Sequence, residues 1–338
     1  MTAPQVSVVL SVRNGAAELP HAIASILQQS FADFELIAIN DGSTDGTAEI
    51  LDRVRDPRVR VVHQDEMGLA RALNRGVALA RGQYIARQDH DDLAMPLRLA
   101  RQVAFMEANP GCALVGTRAE IRVDDRPGNR FHDHPADDAA LRFELLFDNP
   151  FVHSSVMLRK SAVQAAGGYS TDPARQPPED YELWSRLARH WQVANLPERL
   201  TIYRETAGGM SRAPRGPFRE KVVLISAENL AAAVGETAPA RLHRDIAALT
   251  HGAFALMSHE SDIDGMCRTV EQAGARIHAN APGSDVPRRA AKRIKMLRRQ
   301  YIQCRCWKIL GPVWPVARLG WRYSGMRELR RRPKASRS

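Results

Sequence analysis

Tyr84–Leu93, YIARQDHDDL, is the stretch on which the reading of this chain turns. Apolar Tyr84, Ile85 and Ala86 give way within a few residues to Asp89, His90, Asp91 and Asp92. This is the pattern of a buried strand whose C-terminal end opens onto a polar site. In open α/β sheets, ligands bind beyond the carboxyl ends of the strands. Three carboxylates this close repel one another, so they must be solvated, partly protonated or neutralised by a cation. Hard oxygen ligands suit Mg²⁺ or Mn²⁺, and such an ion can in turn hold a diphosphate. Taken alone, the residues serve equally well as a solvated acidic turn capping the helix after Pro96.

Outward from this stretch, short apolar runs recur. Val6–Val12 (VSVVLSV), Phe34–Asn40 (FELIAIN) and Val59–Val62 have the β-branched, continuous pattern of buried parallel strands. Between them lie helical spacings: Ile23, Ile26 and Leu27; then Ile50, Leu51 and Val54; then Leu69, Leu73 and Val77 within Gly68–Ala80. Regular strand–helix alternation predicts a doubly wound parallel sheet. The strands end at Arg13, Asp41, Gln64 and Asp89, which predicts one shared ligand crevice. No G-x-G-x-x-G follows the first strand and no G-x-x-x-x-G-K-[ST] is present, which counts against dinucleotide and P-loop sites.

Further along, Pro96–Glu107 is helical, Cys112–Val123 strand-like and Asp124–Ala139 loop-rich. A short helix over Ala140–Phe147 precedes a strand at Val152–Leu158 (VHSSVML). Lys160–Ala166 is a short helix ending at Gly167-Gly168-Tyr169, and Thr171–Pro178 is a loop. Glu179-Asp180 opens a helix that runs to His190; acids there are favoured by the helix dipole, which by itself accounts for the pair. A last strand lies within Gln192–Tyr203, followed by a linker at Ala207–Gly216. Phe218–Val234, Ala238–Ser258, Asp262–Ala275 and Arg288–Ile309 are helical, with Trp314 and Trp321 beyond.

The 338 residues are enough for a large core and about two domains, and 44% hydrophobic with 25% charged residues is ordinary for a globular chain. Four cysteines make no disulfide framework, and Cys304 and Cys306 have no partner pair for zinc. Reduced thiols, the short polar Met1–Gln5 and the lack of an apolar run near the ~20 residues of a membrane span lead us to expect a cytoplasmic protein. The net charge of +10 is concentrated from Pro287 onward, where Glu328 is the sole acid. Cations interleaved with Ile294, Leu297, Tyr301, Ile302 and Trp307 fit a membrane-surface helix, and fit equally a packed subdomain with a solvated basic face. No RNA-binding motif is present, and nucleic acid is not expected as a partner.

Taken in order, Val6–Asn14, Ile37–Thr47 (IAINDGSTDGT), Gly68–Asn74 (GLARALN), Asp89–Asp92, His153–Met157 (HSSVM), Gly167–Tyr169 (GGY) and Glu179–Leu187 (EDYELWSRL) resemble the family 2 glycosyltransferases over roughly residues 5–212. The resemblance implies an α/β GT-A fold, Rossmann-like, with a mostly parallel sheet sandwiched by helices. It implies a catalytic domain over 1–212, with a nucleotide-binding half over about 1–100 and an acceptor half over 101–212, and leaves an α-helical basic region at 217–338. The implied chemistry is metal-dependent, inverting transfer from a nucleotide-diphosphate sugar to the hydroxyl of a glycan or lipid-linked acceptor, in the synthesis of polysaccharide, lipopolysaccharide or another cell-surface glycan.

Residue by residue, the resemblance puts Ser11, Arg13, Asn14, Asp41, Ser43, Arg71, Asn74 and Asp89 at the nucleotide-sugar, with Asp41 on the base and Asp89 on the ribose. Asp91 is implied as ligand to Mg²⁺ or Mn²⁺, with Asp92 a second ligand through water or a structural cap. Asp180 is implied as general base with Glu179 beside it, and Gly167, Gly168 and Tyr169 at the acceptor. His90 is expected as an exposed spacer, and His153 and Trp184 as core residues. Outside the resemblance, the membrane-surface reading of 287–338 makes an anionic membrane surface, at the inner face of a membrane, its partner; the packed-subdomain reading needs none. The competing readings are a nucleotidyltransferase and a catalytically inactive nucleotide-sugar-binding or membrane scaffold protein.

Overall fold

Strand β1 (Val6–Val12) is buried along its whole length, because helices cover both faces of the sheet it centres. β2 (Phe34–Asp41) lies parallel on one side with β3 (Val59–Gln64) beyond it, and β4 (Tyr84–Asp89) lies parallel on the other side. The register aligns the polar strand ends, with Ser11 opposite Asp89 and Asp41 opposite Gln64. The computed structural model describes residues 3–123, 126–205 and 216–310.

Successive side chains of a strand point to opposite faces. Val9, Ile37, Ile39 and Ile85 therefore pack under α3 (Leu69–Leu79) through Leu73 and Val77. Val8, Leu10, Leu36 and Ala38 pack on the other face against α1 (Leu19–Leu27), α2 (Thr47–Asp52) and α4 (Arg98–Ala108). Each fully buried Leu or Ile contributes about 2 kcal/mol of transfer free energy, so this two-sided burial is what holds the strand ends in register.

Beyond β4 the sheet is mixed, in keeping with the mostly parallel sheet that the resemblance implies. β4 pairs antiparallel with β8 (Met157–Arg159), and β8 antiparallel with β6 (Cys112–Val123). β6 pairs parallel with β9 (Gln192–Glu205), and β9 antiparallel with the two-residue β5 (Leu93–Ala94). Because β5 directly follows the acidic turn, the far edge of the sheet curls back to the site. Residues expected as loop form β7 (Arg126–His132), a hairpin on the end of β6. Of the expected strand over Val152–Leu158 only the end is strand; His153–Ser155 is a 3₁₀ turn. Its serines compete with a ladder, since Ser155 Oγ donates to Val152 O at 2.8 Å and accepts from Thr117 N at 3.2 Å.

The C-terminal helices share their core with the sheet domain. Phe143 of α5 (Asp138–Glu144), together with Leu146 and Phe147, packs with Ile246 and Leu249 of α9 (Arg241–Thr250), Val270 of α10 (Ile263–Ala279) and Leu297 of α11 (Val286–Leu310). α9 is shorter than expected because Gly252 turns the chain at φ +63°. α6 (Lys160–Ala165) leads into the Gly167–Gly168 turn. α8 (Gly216–Val234) lies along α7 (Glu179–His190), where Asn229 Nδ2 donates to Ser185 Oγ at 2.7 Å and to Leu145 O at 2.8 Å. α8 also grips the loop ahead of α7, through Glu228 on Arg175 and Lys221 on the carbonyl of Gln176. The expected linker at 207–216 falls, except for Gly216, outside the described residues, as do Trp314 and Trp321. Among the described residues no helix is long and apolar enough to cross a membrane.

Candidate active site

The acidic turn rests on two buried arginines. Arg87, in β4, is 1% exposed; it donates to Val9 O and forms an ion pair with Asp89 at 2.5 Å. Arg98, at the start of α4 and fully buried, donates to Gln88 Oε1, Arg87 O and Ser154 O, and burial lowers its pKa to about 10. These cations separate the three aspartates into different states. Burial opposes ionisation of Asp89, yet Arg87 and then His153 hold its carboxyl below the ordinary range. Burial and the Asp89 charge push Asp91 up.

Asp92 is 1% exposed, and burial followed by the charges of Asp89 and Asp91 pushes its carboxyl well above the ordinary range. It accepts from Ser154 Oγ and, at 2.8 Å, from Arg204 N, so it fastens the 3₁₀ turn and β9 to the end of β4. Of the two readings of Asp92, these bonds support the structural one. Asp91 differs: among the described residues its carboxylate accepts from its own backbone N–H and has no hydrogen bond or ion pair with any other residue. His90 is no exposed spacer. It is half-buried against Gly15, where an added Cβ would lie 2.3 Å from its ring.

On the nucleotide side, the expected residues largely bind one another. Ser43, Thr47 and Asp45 accept from Asn14 N, Gly15 N and Ala16 N at 3.0–3.1 Å. Asn14, at φ +53°, accepts from Thr44 N at 2.8 Å. The loops after β1 and β2 are thus laced together, and Asn14 and Ser43 shape the crevice wall. Asp41 is buried, and its carboxylate accepts from Gln64 Nε2, Met67 N and Gly68 N at 2.6–2.9 Å. It shapes the turn into α3, leaving one lone pair on Oδ2 for anything further. Arg13 is exposed and paired with Glu66. Arg71 is exposed without a partner among the described residues, and Ser11 is buried at the end of β1 beside Asp89.

Asn74, expected at the nucleotide-sugar, braces the Gly167–Tyr169 turn in this structure. Its Oδ1 accepts from Tyr169 N and its Nδ2 donates to Tyr169 O, both at 2.8 Å. Gly168 beside it, at φ +74°, has room for no Cβ, which would lie 2.5 Å from Asn74 Oδ1. Gly167, at φ +82°, is exposed with nothing within 4 Å. Tyr169, expected at the acceptor, is 3% exposed and packed among His153 and Trp184. Trp184 is core, as expected.

At the N-terminus of α7 the two acids diverge. Asp180 is half-buried and accepts from Asn149 Nδ2 at 2.8 Å and from Tyr181 N at 2.7 Å. Glu179 is 5% exposed, and burial followed by the Asp180 charge pushes its carboxyl up to about 7. His153 reaches into this crevice, against expectation. Its Nδ1 lies 4.0 Å from Glu179 Oε1 and its Nε2 3.4 Å from Tyr169 Oη. Burial, then Arg87, lowers its pKa and keeps the ring neutral, while the charges of both Asp89 and Asp180 act on it. His153 therefore stands between the acidic turn and the α7 pair. Sequence reasoning missed Arg87 and Arg98 as well; an arginine inside the apolar run of β4 was the available signal.

A family model described as glycosyl transferase family 2 matches residues 7–166. A putative glycosyltransferase EpsE of Bacillus subtilis is 34% identical over 218 residues, covering 62% of this chain and 76% of that protein. The O-antigen biosynthesis glycosyltransferase WbnJ of Escherichia coli is 31% identical, covering 59% and 79%. The amylovoran biosynthesis glycosyltransferase AmsE of Erwinia amylovora is 31% identical, covering 57% and 73%. The crystal structure of S. aureus TarS 1–349 in complex with UDP-GlcNAc shares the fold, with a TM-score of 0.60 at 16% identity over 91% of this chain and 92% of that one. The mixed sheet, the crevice at its strand ends and these likenesses agree: the chain is a GT-A-fold enzyme and belongs to glycosyl transferase family 2.

Proposed function

We propose that this enzyme carries out metal-dependent, inverting transfer of a sugar from a nucleoside-diphosphate donor to an acceptor hydroxyl, in the synthesis of a cell-surface polysaccharide. The observation that carries the reading is the pairing of two acidic centres. Asp91, with no partner on another described residue, lies two positions from Asp89, whose charge acts on Glu179 of the Glu179–Asp180 pair. The relatives named for amylovoran and O-antigen biosynthesis support the product class, and the UDP-GlcNAc held by TarS supports a nucleotide-sugar donor.

Asp91 suits a divalent cation: its carboxylate has no partner on another described residue and sits beside a second, ionised carboxylate. Among the described residues no three His, Cys, Asp or Glu side chains converge, which fits Mg²⁺ or Mn²⁺ held by one or two carboxylates with diphosphate oxygens and water completing the shell. Such an ion supplies Lewis-acid stabilisation of the departing diphosphate.

In this reading the chain's own residues do the rest. Asp89, ionised by Arg87, accepts from the donor ribose. Arg71, free on the first turn of α3, contacts the donor's phosphates, and Ser11 and Arg13 line its nucleotide end. Asp180 takes the proton from the acceptor hydroxyl, oriented by Asn149. Glu179, holding its proton near neutral pH, keeps a second negative charge away from that base. The Gly167–Gly168 turn, held by Asn74, lets an acceptor approach backbone.

Donor hydrolysis by the purified chain across a panel of nucleotide-sugars tests the reading. One donor should be consumed, and Asp180→Asn should lower its turnover about 10²–10⁴-fold while nucleotide binding is kept. Wild-type turnover unchanged by Asp180→Asn overturns the base assignment; no turnover with any donor favours a binding or scaffold protein.

A further inference from the structure

Charge on α11 is sorted by face. The cations turned toward the body are paired: Arg289 with Asp285 and Glu144, Arg293 with Glu144, and Arg298 with Asp264. Arg288, Lys292, Lys295 and Arg299 are exposed and have no partner among the described residues. Their alternating spacing of four and three places them in one row along the helix. Three residues further on the row reaches Ile302, which is 53% exposed, and Met296 at 40% flanks it. Val286, Ala290, Leu297 and Cys304 fill the opposite, buried side.

Like charges three and four apart destabilise a helix, and nothing within the described chain offsets this row. α11 contains no acid, and the sequence after Leu310 stays basic, with Glu328 its only acid. From Arg288 to Ile302 the row is about 21 Å long, a line suited to a flat anionic surface. The exposed isoleucine and methionine add a second requirement. A bilayer satisfies both, because headgroups meet the cations while apolar tips enter the acyl boundary. A nucleic acid satisfies only the first.

We propose that this face of α11 is a docking surface for an anionic lipid bilayer, on which the enzyme lies without spanning it. None of these residues lies in the catalytic crevice, so the proposal stands or falls apart from the transfer chemistry.

Co-sedimentation of the full chain with phosphatidylcholine vesicles, with and without phosphatidylglycerol, tests it. Binding should require phosphatidylglycerol and weaken with salt. The fourfold variant R288Q/K292Q/K295Q/R299Q should partition about two to three orders of magnitude more weakly. Ile302→Asp should weaken binding several-fold, and Arg298→Gln, which removes a paired cation, should change it little. Circular dichroism and donor hydrolysis should match wild type in all three, which separates lost docking from lost folding. Equal sedimentation of the fourfold variant and wild type, or no preference for phosphatidylglycerol, overturns the proposal. So does binding to a nucleic-acid duplex that the fourfold variant loses and Ile302→Asp keeps, with no binding to vesicles.

Discussion

Glu179→Gln should stabilise the protein, and increasingly so as pH rises. Glu179 is 5% exposed at the first turn of α7, beside Asp180 and within reach of the Asp89 charge. Its carboxyl is pushed from an ordinary 4.5 up to about 7, by burial first and the Asp180 charge second. Below pH 4.5 it is protonated in both folded and unfolded chains and costs nothing. Between pH 4.5 and about 7 the unfolded chain releases the proton while the folded chain keeps it, so stability falls as pH rises. Above about 7 the cost is constant. At about 1.4 kcal/mol per pH unit, it amounts to roughly 3 kcal/mol. Glutamine has nearly the same shape and no charge, so it removes this cost.

The assay is denaturant unfolding of both proteins at several pH values between 4.5 and 8. Other titrating groups are common to the two chains and cancel in the difference. The variant should gain about 3 kcal/mol on the wild type across that range, with most of the change before neutrality. A difference flat to within about 0.5 kcal/mol would falsify the claim that the fold holds a proton on Glu179.

Gly168→Ala should cost about 2–4 kcal/mol in thermal or denaturant unfolding, because alanine is strained at φ +74° and its Cβ would displace Asn74 from Tyr169. Gly167→Ala, with a similar φ but open space, should cost about 1–2 kcal/mol; equal losses at both sites would show that Asn74 is not what excludes a side chain. Asp92→Ala should cost about 2–4 kcal/mol by leaving buried Ser154 Oγ and Arg204 N without their acceptor, and a surface-like loss under 1 kcal/mol would contradict its structural role. Asp91→Ala, in contrast, should not destabilise the fold, because burial and the Asp89 charge oppose this carboxylate, and should abolish metal-dependent nucleotide binding measured by calorimetry. Binding that still depends on added Mg²⁺ or Mn²⁺ would move the metal elsewhere.

The parallel half of the fold was legible in the residues, because a strand buried on both faces must be a continuous apolar run. Val6–Val12, Phe34–Asp41 and Tyr84–Asp89 write that constraint directly into sequence. The acidic turn was legible for the same reason: polar residues directly after such a run mark the strand's open end. β7, β5 and the 3₁₀ turn at His153–Ser155 were not legible, since they are set by partners distant in sequence. Ser154 finds Asp92 across 62 positions, and Arg204 N finds Asp92 across 112. Two-residue β5 exists only because β9 lies beside it.

The same distinction runs through the site. By itself the sequence determined the family, the polar ends of the parallel strands and the carboxylates proposed for the chemistry. Only the tertiary structure decided their states and duties. Three neighbouring aspartates look alike in sequence, yet Arg87 ionises one, Ser154 and Arg204 fasten another, and the third is left with no partner on another described residue. Asn74 and Tyr169, 95 positions apart, become a brace instead of two contacts, and His153 leaves the expected core to stand beside Glu179. The physical reason is that a carboxyl's charge and a side chain's free hydrogen-bonding capacity depend on desolvation and on neighbours brought in by long-range packing, which local sequence does not carry.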